Sequence, residues 1–410
     1  VIPNVDSTTL PQSFPNYTQA QFRSGTASGS PISINNTNLQ ALYGETRQWN
    51  FYVQDGFPIM FKLNYVSGAF ELANEMDLIA FNKLINYNTP YNGITYDSHN
   101  YRLVDDIDMK NIKGYVTPTK EFKGTFSGGT SEFSSTSTNT NKYIYNMTIN
   151  KPMVVGNNYY MGLFSVSSGT IKNINLMNNQ MILTSTADNY GRTFNIGSIA
   201  GVSTGTIRNV VSDTDIQTGT VAIGRSYIGG IVGTATGSVT YVSNLGMIDG
   251  NAHNFNNLTI NGLFSIGGIA GSTNGTTLIL TNSINLGEIR GIGLASGGQF
   301  NVAVGSSIQN RVGGIIGEVN NTASTNHSFY YVTNEGKVAA NDFTGKSGGT
   351  VQNFIGGIFG EVQGLAFQIT NPTNPITFRN GRWQNKGIIE ANHINTFTTT
   401  NSAGIGDRKS

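Results

Sequence analysis

The sequence predicts an all-β fold, a right-handed parallel β-helix with an N-terminal capping helix and a small N-terminal β extension. Three observations predict it. A short apolar phrase built around a glycine pair returns along most of the chain. A second phrase, Asn-x-Gly followed by Ile or Val, follows most copies. The apolar residues are mostly Ile, Val, Leu, Phe and Tyr, which suit strands, and Gly and Asn break them into short runs.

The first phrase reads Ile196-Gly197-Ser198-Ile199-Ala200-Gly201, Ile228-Gly229-Gly230-Ile231-Val232-Gly233, Ile266-Gly267-Gly268-Ile269-Ala270-Gly271, Val312-Gly313-Gly314-Ile315-Ile316-Gly317 and Ile355-Gly356-Gly357-Ile358-Phe359-Gly360. Met161-Gly162-Leu163-Phe164 is a divergent first copy. A fixed phrase at intervals of a few tens of residues is the signature of a stacked repeat architecture. In a strictly alternating strand, Ile228 and Ile231 would point to opposite faces. Both can point inward only if Gly229 and Gly230 make a bend or bulge, and the same holds at Gly267-Gly268, Gly313-Gly314 and Gly356-Gly357.

The second phrase begins at Asn244, Asn285, Asn334 and Asn385. Runs 169–173 and 205–209 (Gly-Thr-Ile-Lys/Arg-Asn) read as its earlier, related form. Stacked repeats place like residues above like, so these asparagines are expected to form an amide ladder along the axis. Unequal repeat lengths, as at 295–307, are expected to emerge as loops on one face of the rod. About a dozen coils at ~4.8 Å each would give a rod of roughly 60 Å.

Ahead of the repeats lies the best helix candidate, residues 74–86. Asn74 is its expected N-cap, with Glu75 and Asp77 in the first turn. Leu72, Met76, Ile79 and Leu84 fall on one face, with Phe81 and Ile85 widening it. Such a helix would cover the open end of the solenoid, whose bare strand edges invite aggregation. The expected division is therefore a β-rich extension or linking arm at 1–70, the repeats with their helix at 71–400, and a tail at 401–410. Within the extension, strand-like runs at 49–54 and 58–65 flank Asp55-Gly56, a hairpin signal.

Composition excludes several function classes. Charged residues make up 11% of the 410 residues and the net charge is +1, so no basic stripe for nucleic acid is present. No apolar run is long enough for a membrane helix. Cysteine is absent, which removes disulfides, thiolate metal sites and cysteine nucleophiles. The chain begins at Val1, which reads as a processed chain or a fragment.

One stretch carries a family resemblance. It runs from the helix ending Leu84-Ile85-Asn86 through 101–109 (Tyr-Arg-Leu-Val-Asp-Asp-Ile-Asp-Met), 122–129 (Phe-Lys-Gly-Thr-Phe-Ser-Gly-Gly) and 144–149 (Ile-Tyr-Asn-Met-Thr-Ile) to Gly162-Leu163-Phe164. In that order these elements resemble the opening of bacterial surface proteins with GLUG-type repeats, and the Gly-Gly-Ile-x-Gly phrases resemble the body of those repeats. The likeness covers roughly residues 70–390. It implies a parallel β-helix on secreted or wall-associated proteins, among them adhesins and the non-catalytic β-helical region of immunoglobulin A peptidases. Tyr241 departs from it, standing where many members have Asn.

Candidate chemistry is sparse. A zinc peptidase needs His-Glu-x-x-His on a helix, and the four histidines, His99, His253, His327 and His393, stand alone. Asp213 and Asp215 alternate on one strand face and are the weak candidates for a polysaccharide lyase or glycoside hydrolase. Asp105, Asp106 and Asp108 could hold Ca²⁺, although hydrogen bonding within the first coil is the favoured role. No other cofactor is implied. Phe300, Phe329, Tyr330 and Tyr331 lie near insertions and could stack on sugars, with burial in the core as the commoner fate. The leading expectation is a non-enzymatic extracellular or cell-surface protein, an adhesive or structural stalk. Its partners would be a host or cell-surface glycan or protein, or sister subunits in a filament, sheath or surface layer.

Overall fold

The computed structural model describes residues 26–27, 30–31, 50–54, 57–61, 63–86, 90–112, 114–129, 141–183, 192–218, 224–250, 261–273, 277–291, 307–320, 327–341, 350–363 and 383–392. The 401–410 tail, His253, His393 and Phe300 lie outside these residues.

From Asn158 on, the repeats contribute strands to three sheets, one each to the first two and, in the later repeats, two to the third, where Ile248–Asp249, Ile289–Arg290, Val338–Asn341 and Ile389–Asn392 form a second parallel series. The first sheet stacks Asn158–Met161, Arg192–Gly197, Gly224–Gly229, Asn261–Gly267, Ser307–Gly313 and Thr350–Gly356 in sequence order. The second stacks Phe164–Ser167, Ala200–Ser203, Val232–Ala235, Ala270–Ser272, Ile316–Asn320 and Phe359–Gln363. The third begins with Ala69–Leu72, Asn100–Leu103 and Thr125–Ser127, then takes Thr170–Leu183, Thr206–Thr218, Gly237–Asn244, Leu278–Asn285, Ser328–Asn334 and Trp383–Asn385. Neighbouring strands in all three series run parallel, with each phrase in register with its own kind: Ile196 against Ile228, Ile228 against Ile266, Ile266 against Val312.

The glycine phrase is the corner between the first two sheets. Strands end at Gly229 and resume at Val232, and Ile228 and Ile231 on either side are both fully buried. None of the phrase's glycines lies in the left-handed region of backbone space. They are glycine because the backbone comes close: a Cβ on Gly313 would sit 1.9 Å from the Ile316 carbonyl oxygen, and one on Gly356 1.9 Å from that of Phe359. No side chain fits such a gap.

Counted along the first sheet, these repeats take between 32 and 46 residues, the separations of Ile196 from Ile228 and of Ile266 from Val312. Layers are therefore fewer than a dozen: among the described residues six strands form the parallel series of each of the first two sheets, the first sheet adding the antiparallel Met153–Val155 at its edge, and nine form the third's series named above from Ala69–Leu72 to Trp383–Asn385. Length varies at two points of the repeat rather than one. Between the third sheet and the next first-sheet strand the chain runs from Asp249 to Asn261 in one repeat and from Arg290 to Ser307 in another. Between the second and third sheets it lengthens from a two-residue gap after Ser203 to nineteen residues after Gln363.

The helix spans Glu75–Ile85, and Asn74 caps it by accepting hydrogen bonds from the Met76 and Asp77 amides at 3.0 and 3.1 Å. It is buried on more than the single stripe its sequence suggests, for Leu78, Ile79, Ala80, Phe81, Asn82, Leu84 and Ile85 are all enclosed. Two neighbours account for this. A hairpin, Asn50–Gln54 paired antiparallel with Phe57–Phe61 as the Asp55-Gly56 signal anticipates, lies against the helix. On the other side, Phe81 packs against Tyr101, Phe126, Phe164 and Phe122 with ring centroids 4.6 to 6.0 Å away. Asn64–Val66 pairs antiparallel with Ala69–Leu72, so the third sheet starts with a strand that turns back.

Phe81 joins the helix to aromatic side chains of the first layers. Phe81→Ala should cost about 3–5 kcal/mol, and Asn74→Ala about 1 kcal/mol. Urea denaturation of both variants checks this, and equal losses would show that the aromatic contact is no more important than the cap.

Candidate functional site

The asparagines of the second phrase form the ladder their spacing suggests. Asn244 Nδ2 donates to Asn285 Oδ1 at 2.8 Å, Asn285 to Asn334 at 2.8 Å, and Asn334 to Asn385 at 2.7 Å. The second proton of each amide goes to the carbonyl two residues on, at Gly246, Gly287, Gly336 and Gly387, over 2.9 to 3.0 Å. Asn244, Asn285 and Asn334 are fully buried, which makes this satisfaction obligatory.

The ladder and the glycine pair share one volume. A Cβ on Gly230 would lie 2.4 Å from Asn244 Cγ, and Gly268, Gly314 and Gly357 meet Asn285, Asn334 and Asn385 at 2.3 to 2.4 Å. The second glycine of each pair is thus the space its asparagine occupies. Earlier repeats show the exchange in reverse. Ser198 stands in register with Gly230, and Ser212 stands in register with Asn244. There the asparagine shrinks to serine and the glycine grows to serine. One repeat earlier the two positions are Leu163 and Leu176, both fully buried.

Runs 169–173 and 205–209 are not an earlier form of the ladder phrase. Asn173 and Asn209 align with Tyr241, Asn282 and Tyr331, an outer corner of the third sheet. All five have positive φ, from 51° to 59°. Asparagine tolerates this backbone through local hydrogen bonding, whereas for tyrosine it costs roughly 1–2 kcal/mol. The asparagines among them stack, Asn209 Nδ2 donating to Asn173 Oδ1 at 2.9 Å. Tyr241 and Tyr331 point outward, 38% and 55% exposed, and the Arg208 guanidinium lies 5.8 Å from the Tyr241 ring centroid.

A buried ionic cluster sits where the first two sheets face each other. Arg311 Nη1 is 2.5 Å from Glu318 Oε1, its Nη2 donates to Gln309 Oε1 at 2.7 Å, and its Nε contacts the Glu361 carboxylate without hydrogen-bond alignment. Ser265 Oγ donates to Glu318 Oε2 at 3.0 Å. Burial, then the Glu318 charge, pushes the Tyr227 hydroxyl's pKa up. In the preceding repeat these positions hold neutral residues: Ser265 aligns with Arg311, and Ser272 with Glu318, whereas the following repeat places Glu361 in register with Glu318. The cluster is a local replacement of neutral polar pairing, such as Thr234 Oγ1 to Asn195 Oδ1 at 2.7 Å. Breaking one partner of such a set leaves an uncompensated charge.

The acidic candidates are occupied structurally. Asp215 Oδ1 accepts the Met247 amide at 2.9 Å, tying it to the next repeat, while Asp213 is half-buried two residues before. Asp105 accepts the Asp106 amide, Asp106 accepts the Tyr143 amide at 3.0 Å, and Asp108 accepts the Asn146 amide and the Lys110 backbone N–H. The Asn146 bond, aided by Lys110, holds the Asp108 carboxyl below its ordinary range. Among the described residues no three His, Asp or Glu side chains are arranged to hold a metal ion. His99 is buried among rings, Nε2 facing the Tyr91 and Ile94 carbonyls at 3.0 and 3.1 Å. Phe329 is buried and stacks on His327, Tyr330 is half-buried, and only Tyr331 of that group stands out in solvent.

No family model and no curated protein matches the chain. Among solved structures, it is similar to the crystal structure of a putative immunoglobulin A1 protease from Bacteroides ovatus, at 16% identity and a TM-score of 0.45, over 84% of this chain and 85% of that one. A likeness at that level carries no conclusion about activity. No helix among the described residues is long and apolar enough to cross a membrane.

Two outcomes follow from these contacts. Gly230→Ser should destabilise the protein by about 2–4 kcal/mol. Adding Asn244→Ser should return part of that loss, with a coupling of about 1–3 kcal/mol in a double-mutant cycle; strict additivity would refute the shared volume. Fully buried His327 accepts the Leu278 amide at Nδ1, 3.1 Å, and burial lowers its pKa below the ordinary 6.5. The unfolded chain then binds the proton more readily, so the stabilisation is complete above pH 6.5 and is lost as pH falls through the folded pKa. Urea midpoints should decline below that pH, and His327→Asn should flatten the decline; an unchanged slope would assign it to other groups.

Proposed function

We propose that the three sheets wind as a right-handed parallel β-helix, and that this protein is a non-enzymatic adhesive or structural rod displayed outside a cell. Right-handed crossovers are the strong rule for parallel strands in one sheet. The helix Glu75–Ile85 and the antiparallel strand Asn64–Val66 act as its N-terminal cap, because a strand running backwards cannot template another parallel layer. The resemblance to GLUG-type surface proteins supports the location, and low charge suits a rod that presents neutral polar faces.

The observation that carries this reading is the in-register stacking of like residues, with length variation confined to two fixed points of the repeat. A constant frame with variable excursions is a device for presenting surface. The hydrolase or lyase alternative gains nothing from Asp215, which spends a carboxylate oxygen on the Met247 amide.

Small-angle scattering and negative-stain microscopy should find monodisperse rods whose repeat region measures about 40 Å, nine third-sheet layers at ~4.8 Å. Incubation with pectin, xylan and hyaluronan should release no new chain ends. Ordered filaments, or turnover abolished by Asp213→Asn with Asp215→Asn, would overturn the reading in favour of assembly or catalysis respectively.

A further inference from the structure

We infer that the corner carrying Tyr241, Asn282 and Tyr331 is a binding strip for an uncharged, extended, β-linked polysaccharide. The inference deepens the surface-display reading and rests on it.

The backbone at this corner does not call for tyrosine. Asn173, Asn209 and Asn282 take the same left-handed conformation in sister repeats, and asparagine adopts it without tyrosine's strain. A side chain kept in an unfavourable backbone region points to a task outside folding. Nor does burial account for the choice, since Tyr331 is 55% and Tyr241 38% exposed. Two strained positions of one register column therefore present aromatic rings to solvent, and the Arg208 guanidinium close to the Tyr241 ring restricts its freedom.

The surroundings define the ligand. Thr240, Thr281 and Tyr330 precede the three corner residues in register, so the strip beside the rings consists of hydroxyl groups, and the Asn282 amide stands between the two tyrosines. The Arg208 guanidinium lies over the Tyr241 ring. Rings to cover an apolar face, flanked by neutral donors and acceptors, match a pyranose, which is apolar on its faces and hydroxylated at its rim. Geometry adds the extended form. Tyr241 and Tyr331 are two layers apart, about 9.6 Å along the stack, close to the length of a disaccharide in a straight β-linked chain. Alternate sugars would stack on the tyrosines while the sugar between them meets Asn282.

The test uses the full chain, with Tyr241→Asn, Tyr331→Asn and the double variant. These restore the side chain that sister repeats already carry, so each should melt at or above the wild-type temperature and misfolding will not confound the result. Isothermal titration is made with cellohexaose, chitohexaose, xylohexaose and mannohexaose, and with laminarihexaose, whose bent linkage breaks the spacing. The expected result is wild-type binding to at least one straight hexasaccharide and not to laminarihexaose. Each single variant should weaken that binding about tenfold, and the double variant should abolish it. Wild-type and double variant binding alike would overturn the site and leave a glycan-binding rod. Wild-type binding to none of the probes would overturn the glycan inference itself, while the scattering dimensions decide the display reading separately.

Discussion

Asn244 Cγ and a Cβ on Gly230 would compete for the same space, and the same competition recurs at Gly268, Gly314 and Gly357. This shared volume ties the corner between the first two sheets to the third sheet, so the two sequence phrases are one device. The glycine lets the asparagine reach the interior, and the asparagine fills the gap with an amide that needs three partners. Asn285 and Asn334 find them in the next asparagine, the previous one and their own repeat's glycine carbonyl, while Asn244, the first rung, has only the next asparagine and its glycine carbonyl and leaves its Oδ1 without a hydrogen bond. A buried amide so satisfied specifies register, because sliding a strand by one residue would orphan every rung at once. Where the chain abandons asparagine it abandons glycine too, as Ser198 with Ser212 shows.

Most of this frame was legible in the sequence, and for physical reasons. The parity of Ile228 and Ile231 demands a bend, so the corner could be placed before any coordinates. Like-on-like stacking made the amide ladder an expectation. The Asn74 cap and the Asp55-Gly56 hairpin are local rules that tertiary contacts did not override. The number of layers was not legible, because much of each repeat is connecting chain whose length the two phrases do not set. Runs 169–173 and 205–209 were misaligned with the ladder because an Asn near an Ile looks the same in either register. Pairing Lys172 with Arg208 and Arg208 with Thr240 is what separates the two columns.

The features that escaped sequence reading are those where a repeat breaks its own rule. Arg311 and Glu318 stand on consecutive strands of one repeat and Glu361 on the next repeat's layer, and they meet only because the corner brings the first two sheets together. Their signal was present all the same: charges of both signs enter two columns that are neutral in the preceding repeats. Tyr241 was noticed as a departure, and its left-handed backbone supplies the reason the departure matters. In a repeat protein the conforming positions report the scaffold, and a costly exception reports something the scaffold does not need.

The two kinds of exception differ in what they can do. The ionic cluster is enclosed, its guanidinium and Glu318 carboxylate both shielded from solvent, so no partner could meet it without opening the sheets. Its consequence is internal: it fixes the later repeats against one another with directional contacts in a low-dielectric setting. The tyrosine corner is the reverse case. Its tyrosines hold a left-handed backbone that sister repeats give to asparagine, its rings face water, and the column runs along the stacking axis. A ligand that follows this strip must itself be extended and repetitive, and a stack of parallel layers is the natural complement to such a chain.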